Sequence, residues 1–471
     1  MEYKPTIGLE IHAELKTRTK MFCGCKNDPN EERPNTNICP VCMAHPGTLP
    51  VINKEAVRQV LRVGVALGGE LALKFSEFDR KNYFYPDISK GYQISQYKYP
   101  LVAGGELAGV AITRVHLEED TATSKHRGDH SLVDFNRAGV PLMELVTEPV
   151  INLAKQAGDF ARELQLLLRY LNASDANMEK GEMRVEANIS VSKDDKFGTK
   201  VEVKNLNSFK IAEKAIEYEI KRQQEVLEAG EEVVQETRGW DETKGATFSQ
   251  RKKESSHDYR YFPEPDLPKL KLGEVEEFKP ESLLKTLPEL PWQKRERYRK
   301  DYGIKESDIE ILVADPVLDE FFEAVVADLG RDKQMVQLAA NYLISDVLGK
   351  MKVKADLGLP PHADFTSLIK LVAENEVSSR GAKDILEIML VSGEATGPKK
   401  IAEEKGLFQQ SDTDALGKII DRVIDENQKA ADEYRAGKET ALQFLVGQGM
   451  RLSKGSANPG VLKELLVEKL T

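Results

Sequence analysis

Apolar and polar residues alternate along three short stretches in the N-terminal half of the chain, at residues 8–14, 114–120 and 184–190. Successive side chains of a strand point to opposite faces, so each stretch predicts a strand with one apolar and one polar face. In the first stretch the polar positions are Glu10, His12 and Glu14. Three such strands predict an antiparallel sheet that packs on a core with one face and presents a polar floor with the other.

The second and third stretches add basic groups to this polar floor. The polar side of the second stretch consists of Arg114, His116, Glu118 and Asp120, and Glu119 falls on its apolar side. The polar side of the third consists of Arg184, Glu186, Asn188 and Ser190. Neighbouring carboxylates repel unless a cation lies among them, and hard divalent cations bind carboxylate oxygens. A solvated sheet face would explain any single strand, but three strands, two of which carry His, favour a metal site.

Helical periodicity separates these strands and then replaces them. The first predicted helices cover residues 54–67, 152–171 and 211–228. Residues 263–292 are rich in proline, and strand patterns disappear beyond residue 293. Further helices are predicted at 293–302, 306–328, 332–350, 365–375, 379–389, 413–427, 429–446 and 460–469. The sequence therefore predicts an α+β fold in which an antiparallel sheet domain precedes an all-helical region. The predicted domains are residues 1–292, 293–400 and 401–471.

The composition fits a soluble globular protein of several domains. The 471 residues are too many for one ordinary core, and 40% hydrophobic with 31% charged residues is an ordinary balance. No apolar signal segment opens the chain and no apolar run approaches a membrane span, so we expect a cytoplasmic protein without membrane contact. The net charge of −11 argues against a uniformly basic nucleic-acid coat. A local basic patch could still bind RNA.

The four cysteines form two close pairs separated by a short loop. They are Cys23, Cys25, Cys39 and Cys42. This spacing predicts a tetrahedral zinc site with four sulfur ligands, which would be structural because no coordination position stays open. Disulfides are the alternative, which a cytosolic setting disfavours, and four inert thiols are the other.

Residues 78–96 are dense in aromatic, cationic and amide side chains, with Pro and Gly breaks. Aromatic rings among basic residues can stack on bases and contact phosphates. A loop that simply packs its aromatic side chains would have the same composition. The local pattern alone favours neither interpretation.

Seven segments carry a resemblance that covers essentially the whole chain. They are residues 8–12, 80–87, 91–96, 114–120, 136–141, 204–209 and 258–266. In this order they resemble the B subunit family of the bacterial and organellar Glu-tRNA(Gln)/Asp-tRNA(Asn) amidotransferases. The resemblance implies a catalytic cradle related to glutamine synthetase, followed by helices and a tRNA-binding tail similar to the YqeY family.

The resemblance also implies a reaction and its participants. ATP would phosphorylate the side-chain carboxylate of glutamate on tRNA(Gln), or of aspartate on tRNA(Asn), and ammonia would displace the phosphate to give the amide. Mg²⁺ would assist the phosphoryl transfer. A glutaminase A subunit would supply ammonia, and a small C subunit would complete a heterotrimer. The sequence does not distinguish which amide is made in the cell.

The resemblance assigns roles to residues of the polar floor. The implied magnesium ligands, binding directly or through water, are Glu10, His12 and Glu119. Candidates for second ligands or ammonium-binding groups are Glu118, Glu182 and Glu186, and candidates for phosphate clamps are Arg184 and Lys204. For these latter five an ordinary salt bridge is an equal alternative. If the first two strands are neighbours, a separation of about 5 Å brings the three magnesium ligands within reach of one ion.

The chain departs from the family pattern at three places. The family continues Ala-Gly-Lys after Asp120, where residues 121–123 are Thr-Ala-Thr, and Lys125 is the nearest lysine. Residues 180–182 are Lys-Gly-Glu in place of Glu-Gly-Ser, and Glu186 replaces the more usual Asp. Because the first departure removes the lysine of the family pattern, the resemblance does not assign a phosphate role to a lysine after Asp120.

Two other classes of protein compete with an amide ligase. One is a tRNA-binding protein without activity, and the other is a metal-dependent nuclease or phosphohydrolase that uses the same carboxylates. Within the predicted tail at 401–471, residues 444–459 include Arg451 and Lys454 beside a Gly- and Ser-rich turn. We expect this turn to contact the sugar-phosphate backbone of tRNA, and a plain loop between packed helices is the alternative.

Overall fold

A computed structural model describes residues 3–194, 196–252, 259–354, 356–392, 397–409, 413–453 and 457–471. The chain divides into two compact units, residues 1–291 and 292–471. The three-part division at residues 292 and 400 stays a prediction. The α+β fold is confirmed, because the first unit is built on sheets and the second is helical.

Within the part of the chain that the structure describes, all of the assigned strands belong to the first unit. They are β1 (Lys4–Glu14), β2 (Glu70–Leu71), β3 (Asp79–Asn82), β4 (Tyr92–Ser95), β5 (Val102–Ala103), β6 (Glu106–Leu107), β7 (Val110–Glu119), β8 (Thr123–Arg127), β9 (His130–Asp134), β10 (Pro141–Thr147), β11 (Met183–Ser192), β12 (Val201–Leu206), β13 (Glu236–Asp241), β14 (Ala246–Lys252) and β15 (Phe262–Pro263). Its helices are α1 (Lys54–Ala66), α2 (Ala154–Tyr170), α3 (Phe209–Glu228) and α4 (Pro280–Leu284). Short 3₁₀ turns occur at Leu272–Glu274 and Glu276–Phe278.

Ten strands form the main sheet, in the order β14-β13-β12-β11-β1-β10-β7-β5-β2, and β6 pairs with β7. The pairing is antiparallel except between β12 and β13. Strand β10 lies between β1 and β7, so the first two strands predicted from the alternation are not direct neighbours. A smaller sheet, in the order β15-β3-β4, and the hairpin β8-β9 complete the unit.

The predicted alternation of β1 is confirmed by burial. Four apolar side chains of this strand have no exposed surface: Ile7, Leu9, Ile11 and Ala13. Helix α2 contacts β1 and α3 contacts β11, so the apolar face of the sheet is covered by helices. Burying one large aliphatic side chain contributes about 1.5–3 kcal/mol, so this layer fixes which face of the sheet turns outward.

Capping side chains and a glycine mark the ends of helices in the first unit. The Asn53 side chain accepts hydrogen bonds from the first backbone amides of α1, and Ser208 does the same for α3. Helix α1 is followed by Gly68 at a φ of +69°, a conformation that glycine adopts without steric cost.

The second unit is built from helices. They are α5 (Pro291–Arg297), α6 (Glu306–Ala314), α7 (Pro316–Asp328), α8 (Lys333–Asn341), α9 (Leu348–Val353), α10 (His362–Ala373), α11 (Ser379–Ser392), α12 (Pro398–Lys405), α13 (Thr413–Glu426), α14 (Gln428–Arg435), α15 (Glu439–Leu452) and α16 (Pro459–Leu470). Wider π-helical turns occupy Tyr298–Tyr302 and Tyr342–Val347. None of the helices among the described residues combines the length and apolar character needed to cross a membrane.

Two long predicted helices of the second unit are each divided. The predicted helix at 306–328 is interrupted at Asp315, whose side chain caps the N-terminus of α7. Pro316 occupies the first turn of α7, where proline is tolerated, whereas it would disrupt a helix interior. The helix at 429–446 breaks before α15 at Gly437, whose φ is +94°. Helix α12 was not predicted. In the tail, α13 to α16 share a core that includes Ile420, Leu445 and Leu466.

Candidate active site

One row of side chains crosses four strands on the polar face of the main sheet. The pairing register places Arg184 of β11 opposite His12 of β1, His12 opposite Glu144 of β10, and Glu144 opposite His116 of β7. Residues paired across antiparallel strands share a face. The register therefore places the Glu144 carboxylate between the imidazoles of His12 and His116, next to the acids of the neighbouring rows.

The first cluster of possible metal ligands consists of His12, Glu118 and Glu144, whose ligand atoms all lie within 4.8 Å of one another. His12 Nε2 lies 3.3 Å from Glu144 Oε2 and 3.6 Å from Glu118 Oε1. His116 Nε2 also lies 3.3 Å from Glu144 Oε2. The Ser95 hydroxyl donates to Glu118 at 2.9 Å and orients that carboxylate.

The charges of this first cluster stabilise one another despite their burial. Burial lowers the pKa of His12, but the hydrogen bond to Glu144 and the charges of Glu144, Glu118 and Glu186 outweigh it and raise this pKa to about 9. Burial raises the pKa of Glu144, and the two histidines hold it well below its usual range. Glu144 is therefore a carboxylate at neutral pH, which is the form that binds a cation.

The second cluster consists of Glu10, Glu186 and Glu202, again with ligand atoms within 4.8 Å of one another. Asn188 donates to Glu10 at 2.7 Å, and Thr237 donates to Glu202 at 2.7 Å. Lys204 Nζ lies 2.8 Å from Glu186 Oε2. Three carboxylates with ligand atoms this close together can bind a cation.

Both clusters line one open cavity of about 610 Å³. Its wall includes Lys81, Arg114, Tyr83 and Tyr261 as well as the acids of the floor. The volume lies within the range of about 300–1,000 Å³ that is common for small-molecule sites. The cavity can therefore take a nucleotide or another substrate group over a cation-binding floor.

The structure corrects the placement expected for Glu119. In agreement with the strand alternation, Glu119 projects from the face of β7 that is opposite to the face of Glu118. Its carboxylate is 2.6 Å from Lys90 Nζ and accepts a hydrogen bond from the Ile94 amide at 3.0 Å. It lines a smaller cavity beside Cys42 rather than the cavity of the two clusters. Glu119 is therefore not placed to share an ion with Glu10 and His12, because its side chain projects from the opposite face of β7.

The other site residues predicted from the sequence have defined partners. Arg184 lies 2.8 Å from Asp120 Oδ2 and lines the cavity, as Lys204 does. Glu182 accepts from the Asn177 amide at 3.2 Å and stabilises a turn. Lys125 lies on the exposed hairpin β8-β9 and is not among the residues that line the cavity. The residue Asp258 of the last family motif lies outside the described residues.

Three residues of the site were not predicted as functional: Glu144, Glu202 and Lys81. Glu144 belongs to a strand in which six of seven residues are buried, so its apolar neighbours hide the alternation. Glu202 shares the second cluster with Glu10 through the β11-β12 pairing. A lone acid within an apolar strand was the one signal available for Glu144, since burial of an unpaired carboxylate is costly.

The four cysteines come together as predicted, with all sulfur atoms within 4.8 Å of one another. Cys42 Sγ lies 3.9 Å from Cys39 Sγ and 4.0 Å from Cys25 Sγ. A tetrahedral zinc with Zn–S bonds of about 2.3 Å separates its sulfurs by about 3.8 Å, so the arrangement fits this ion. A hydrogen bond from the Cys23 thiol, opposed by burial, lowers the pKa of Cys42 to about 5, which favours the thiolate.

A buried pair of acids, Glu14 and Asp120, lies beside the floor. Burial and the Asp120 charge raise the pKa of Glu14 to about 8, against the opposing charges of Arg137 and Arg184. In the unfolded chain Glu14 ionises near its ordinary value, so the folded state binds the extra proton. Stability should therefore fall as pH rises from about 4.5 to 8.

We expect Glu14→Gln to reduce this loss of stability, because the amide has no proton to lose. Wild-type protein should lose up to roughly 1.4 kcal/mol per pH unit at this group, and the variant should lose less. Urea unfolding midpoints at pH 5 and pH 8 measure the difference. Glu106→Gln, at an exposed position of β6, is the control. An unchanged pH dependence in Glu14→Gln would contradict the prediction.

Comparison with known families identifies the class of this fold and site. Residues 5–276, which include the sheet and both clusters, match the family described as the GatB/GatE catalytic domain. Residues 320–470 match the family described as the GatB domain. The first unit is thus a catalytic domain of the GatB/GatE class.

Curated relatives extend the match over the full chain. Proteins of Persephonella marina, Caldanaerobacter subterraneus and a Picosynechococcus species are 44%, 46% and 42% identical, over 100% of this chain and 98–100% of their own lengths. All three are named as the B subunit of an aspartyl/glutamyl-tRNA(Asn/Gln) amidotransferase. The chain belongs to this family of amidotransferase B subunits, and the resemblance described above is confirmed.

Proposed function

We propose that this chain activates the side-chain carboxylate of glutamate on tRNA(Gln), or of aspartate on tRNA(Asn), with ATP and converts it to the amide. The observation that carries the proposal is the pair of acidic clusters on the floor of one cavity, in a chain of the amidotransferase B family. The role belongs to protein synthesis, because the product is an aminoacyl-tRNA.

The chemistry explains why such a floor is needed. A carboxylate is a poor electrophile, whereas an acyl phosphate loses phosphate readily when ammonia attacks the carbonyl carbon. Forming the acyl phosphate brings the anionic carboxylate to the anionic γ-phosphate of ATP. Positioning and neutralisation of charge are therefore the main tasks of the site.

We propose Glu118 and Glu144 as ligands of one Mg²⁺, directly or through water, with His12 as a further ligand once it releases the proton that its raised pKa retains. We propose Glu10, Glu186 and Glu202 as ligands of a second cation. Carboxylate oxygens suit Mg²⁺, and histidine, an uncommon ligand for it, would also suit Mn²⁺. When bound, such ions neutralise phosphate oxygens and hold the reacting groups in line. Ser95 and Asn188 orient the carboxylates through their hydrogen bonds.

Arg184 and Lys204 are proposed phosphate-binding groups at the edge of the floor. Each is held by an acid, Asp120 for Arg184 and Glu186 for Lys204. This pairing fixes the direction of each side chain. Arg184 has further N–H groups that can donate hydrogen bonds to a phosphate oxygen.

We further propose that the chain works in a heterotrimer in the cytoplasm. A glutaminase A subunit would supply ammonia, and a small C subunit would join the other two. The naming of the relatives as B subunits supports a complex of several chains that acts on tRNA.

The reconstituted complex tests the proposed function directly. We expect conversion of Glu-tRNA(Gln), Asp-tRNA(Asn) or both to the amidated forms, dependent on ATP and glutamine. Assaying both mischarged tRNAs separates the two substrates. Binding of tRNA without turnover would favour an inactive RNA-binding protein, and cleavage of uncharged RNA would favour a nuclease.

We propose one structural zinc per chain, bound by Cys23, Cys25, Cys39 and Cys42. Metal analysis of protein purified without chelator should give one zinc, and the double variant Cys39→Ser/Cys42→Ser should lose it. The variant should lose thermal stability before intrinsic chemistry, because the cysteine loop folds around the ion. Absence of zinc from the wild type, or its retention in the double variant, would contradict the assignment.

We propose that the tail, residues 401–471, binds tRNA away from the acceptor end. Arg451 is exposed at the end of α15, and residues 454–456 of the predicted contact turn lie outside the described residues. Deleting 401–471 should raise the KM for tRNA, while hydrolysis of glutamine by the partner persists. The intact complex is the control, and an unchanged KM for tRNA would refute the role.

A further inference from the structure

Two adjacent cations of β3 have contrasting surroundings. Arg80 donates to both oxygens of Glu264, at 2.7 and 2.8 Å, and its guanidinium lies 4.2 Å from the centre of the Tyr92 ring. A bidentate pair with an aromatic contact holds β3 against the segment around β15. Arg80 therefore has a structural role.

Lys81 points to the opposite side of β3 and lines the cavity above the acidic clusters. Its ammonium lies 5.3 Å from the ring centre of Tyr259 and 6.0 Å from that of Tyr83. In the part of the chain that the structure describes, no carboxylate oxygen lies within 4.0 Å of this nitrogen. Aromatic rings thus hold the ammonium without neutralising it.

The acids of the first cluster favour the charged form of Lys81. Burial lowers the pKa of its ammonium, and the charges of Glu118 and Glu144, with Tyr261, raise it well above the ordinary value. A lysine without a carboxylate oxygen within 4.0 Å among the described residues can contact an anion that enters the cavity. It need not break an ion pair to do so.

Three other cations of the wall differ in this respect, and a fourth, Lys200, also has an interaction partner. Arg114 lies 3.7 Å from Glu144, Arg184 lies 2.8 Å from Asp120, and Lys204 lies 2.8 Å from Glu186. Each of these three already has an acidic partner within the protein. Lys81 is therefore better placed than these cations to neutralise an added charge.

We propose that Lys81 is a catalytic residue that contacts the phosphoryl group during its transfer from ATP to the side-chain carboxylate. The inference rests on the proposed function. In this step a carboxylate oxygen bonds to the γ-phosphorus, the bond from that phosphorus to the β,γ-bridging oxygen breaks, and ADP leaves with the electron pair. Lys81 keeps its proton and neutralises charge on the equatorial oxygens.

The test compares four complexes assembled with the partner subunits: wild type, Lys81→Met, Lys81→Arg and Lys98→Met. Lys98 is the matched control, since it is exposed and lies 5.1 Å from the ring centre of Tyr99 but does not line the cavity. The readouts are transfer of ³²P from γ-labelled ATP to Glu-tRNA(Gln) and Asp-tRNA(Asn) without an ammonia source, and binding of each aminoacyl-tRNA. Thermal midpoints identify a variant that fails to fold.

We expect Lys81→Met to slow phosphoryl transfer at saturating substrates by about 100-fold or more, with aminoacyl-tRNA affinity within about threefold of wild type. Lys81→Arg should recover part of the rate, and Lys98→Met should match the wild type. A rate for Lys81→Met within threefold of wild type would overturn the inference. So would weakened aminoacyl-tRNA binding with a normal saturated rate. A wild-type complex that transfers no phosphate would instead refute the proposed function.

Discussion

Replacing Glu144 with Gln should reduce ATP-dependent amide formation by about 1,000-fold, which corresponds to about 4 kcal/mol of lost transition-state stabilisation. The amide keeps the size of the side chain and removes the charge that lies 3.3 Å from both His12 and His116. A cation held by His12, Glu118 and Glu144 would lose an anionic ligand. Binding of tRNA should change little, because it depends on other surfaces.

Metal binding provides a measurement of the Glu144→Gln effect that does not depend on activity. Titration with Mn²⁺, followed by electron paramagnetic resonance, should show one tightly bound ion fewer than in the wild type. Glu106→Gln, on exposed β6, controls for loss of one surface charge, and Glu144→Asp tests the requirement for a carboxylate. A Glu144→Gln complex that folds and phosphorylates aminoacyl-tRNA at the wild-type rate would show that the first cluster is structural.

Strand alternation was a reliable guide to side-chain direction in this protein. It predicted that Glu10 and His12 project from the polar face of the sheet. It also placed Glu119 and Glu118 on different faces of β7, and on its own face Glu119 contacts Lys90. The family resemblance implied a shared ion for Glu119, and the geometry does not support it. Local sequence determines the direction of a side chain because the period of a strand is two residues.

Strand order, by contrast, could not be predicted from alternation. Nothing in the sequence of β1 or β7 specifies that β10 lies between them, because pairing is decided by contacts between residues far apart in the chain. Glu144 was missed for this reason and because Leu142 and Val146, its neighbours on the same face, are apolar. Lys81 belongs to a strand of four polar residues, which has no hydrophobic pattern to orient it.

The second acidic cluster should make its own contribution. We expect Glu10→Gln to reduce amide formation by about 100-fold, less than Glu144→Gln, because two acids, Glu186 and Glu202, remain to bind a cation weakly. Asn188, which donates to Glu10 at 2.7 Å, can rotate its amide to bind the new side chain, so the fold should be retained.

The double variant Glu10→Gln/Glu144→Gln separates two independent sites from one shared ion. If each cluster holds its own cation, each single variant should have one tightly bound Mn²⁺ fewer than the wild type, and the double variant should have two fewer. Independent sites would also give rate losses that multiply, whereas a shared ion would make the second substitution nearly silent once the first is present. Loss of one ion in every variant would refute the proposal of two sites, since both clusters would then serve a single cation.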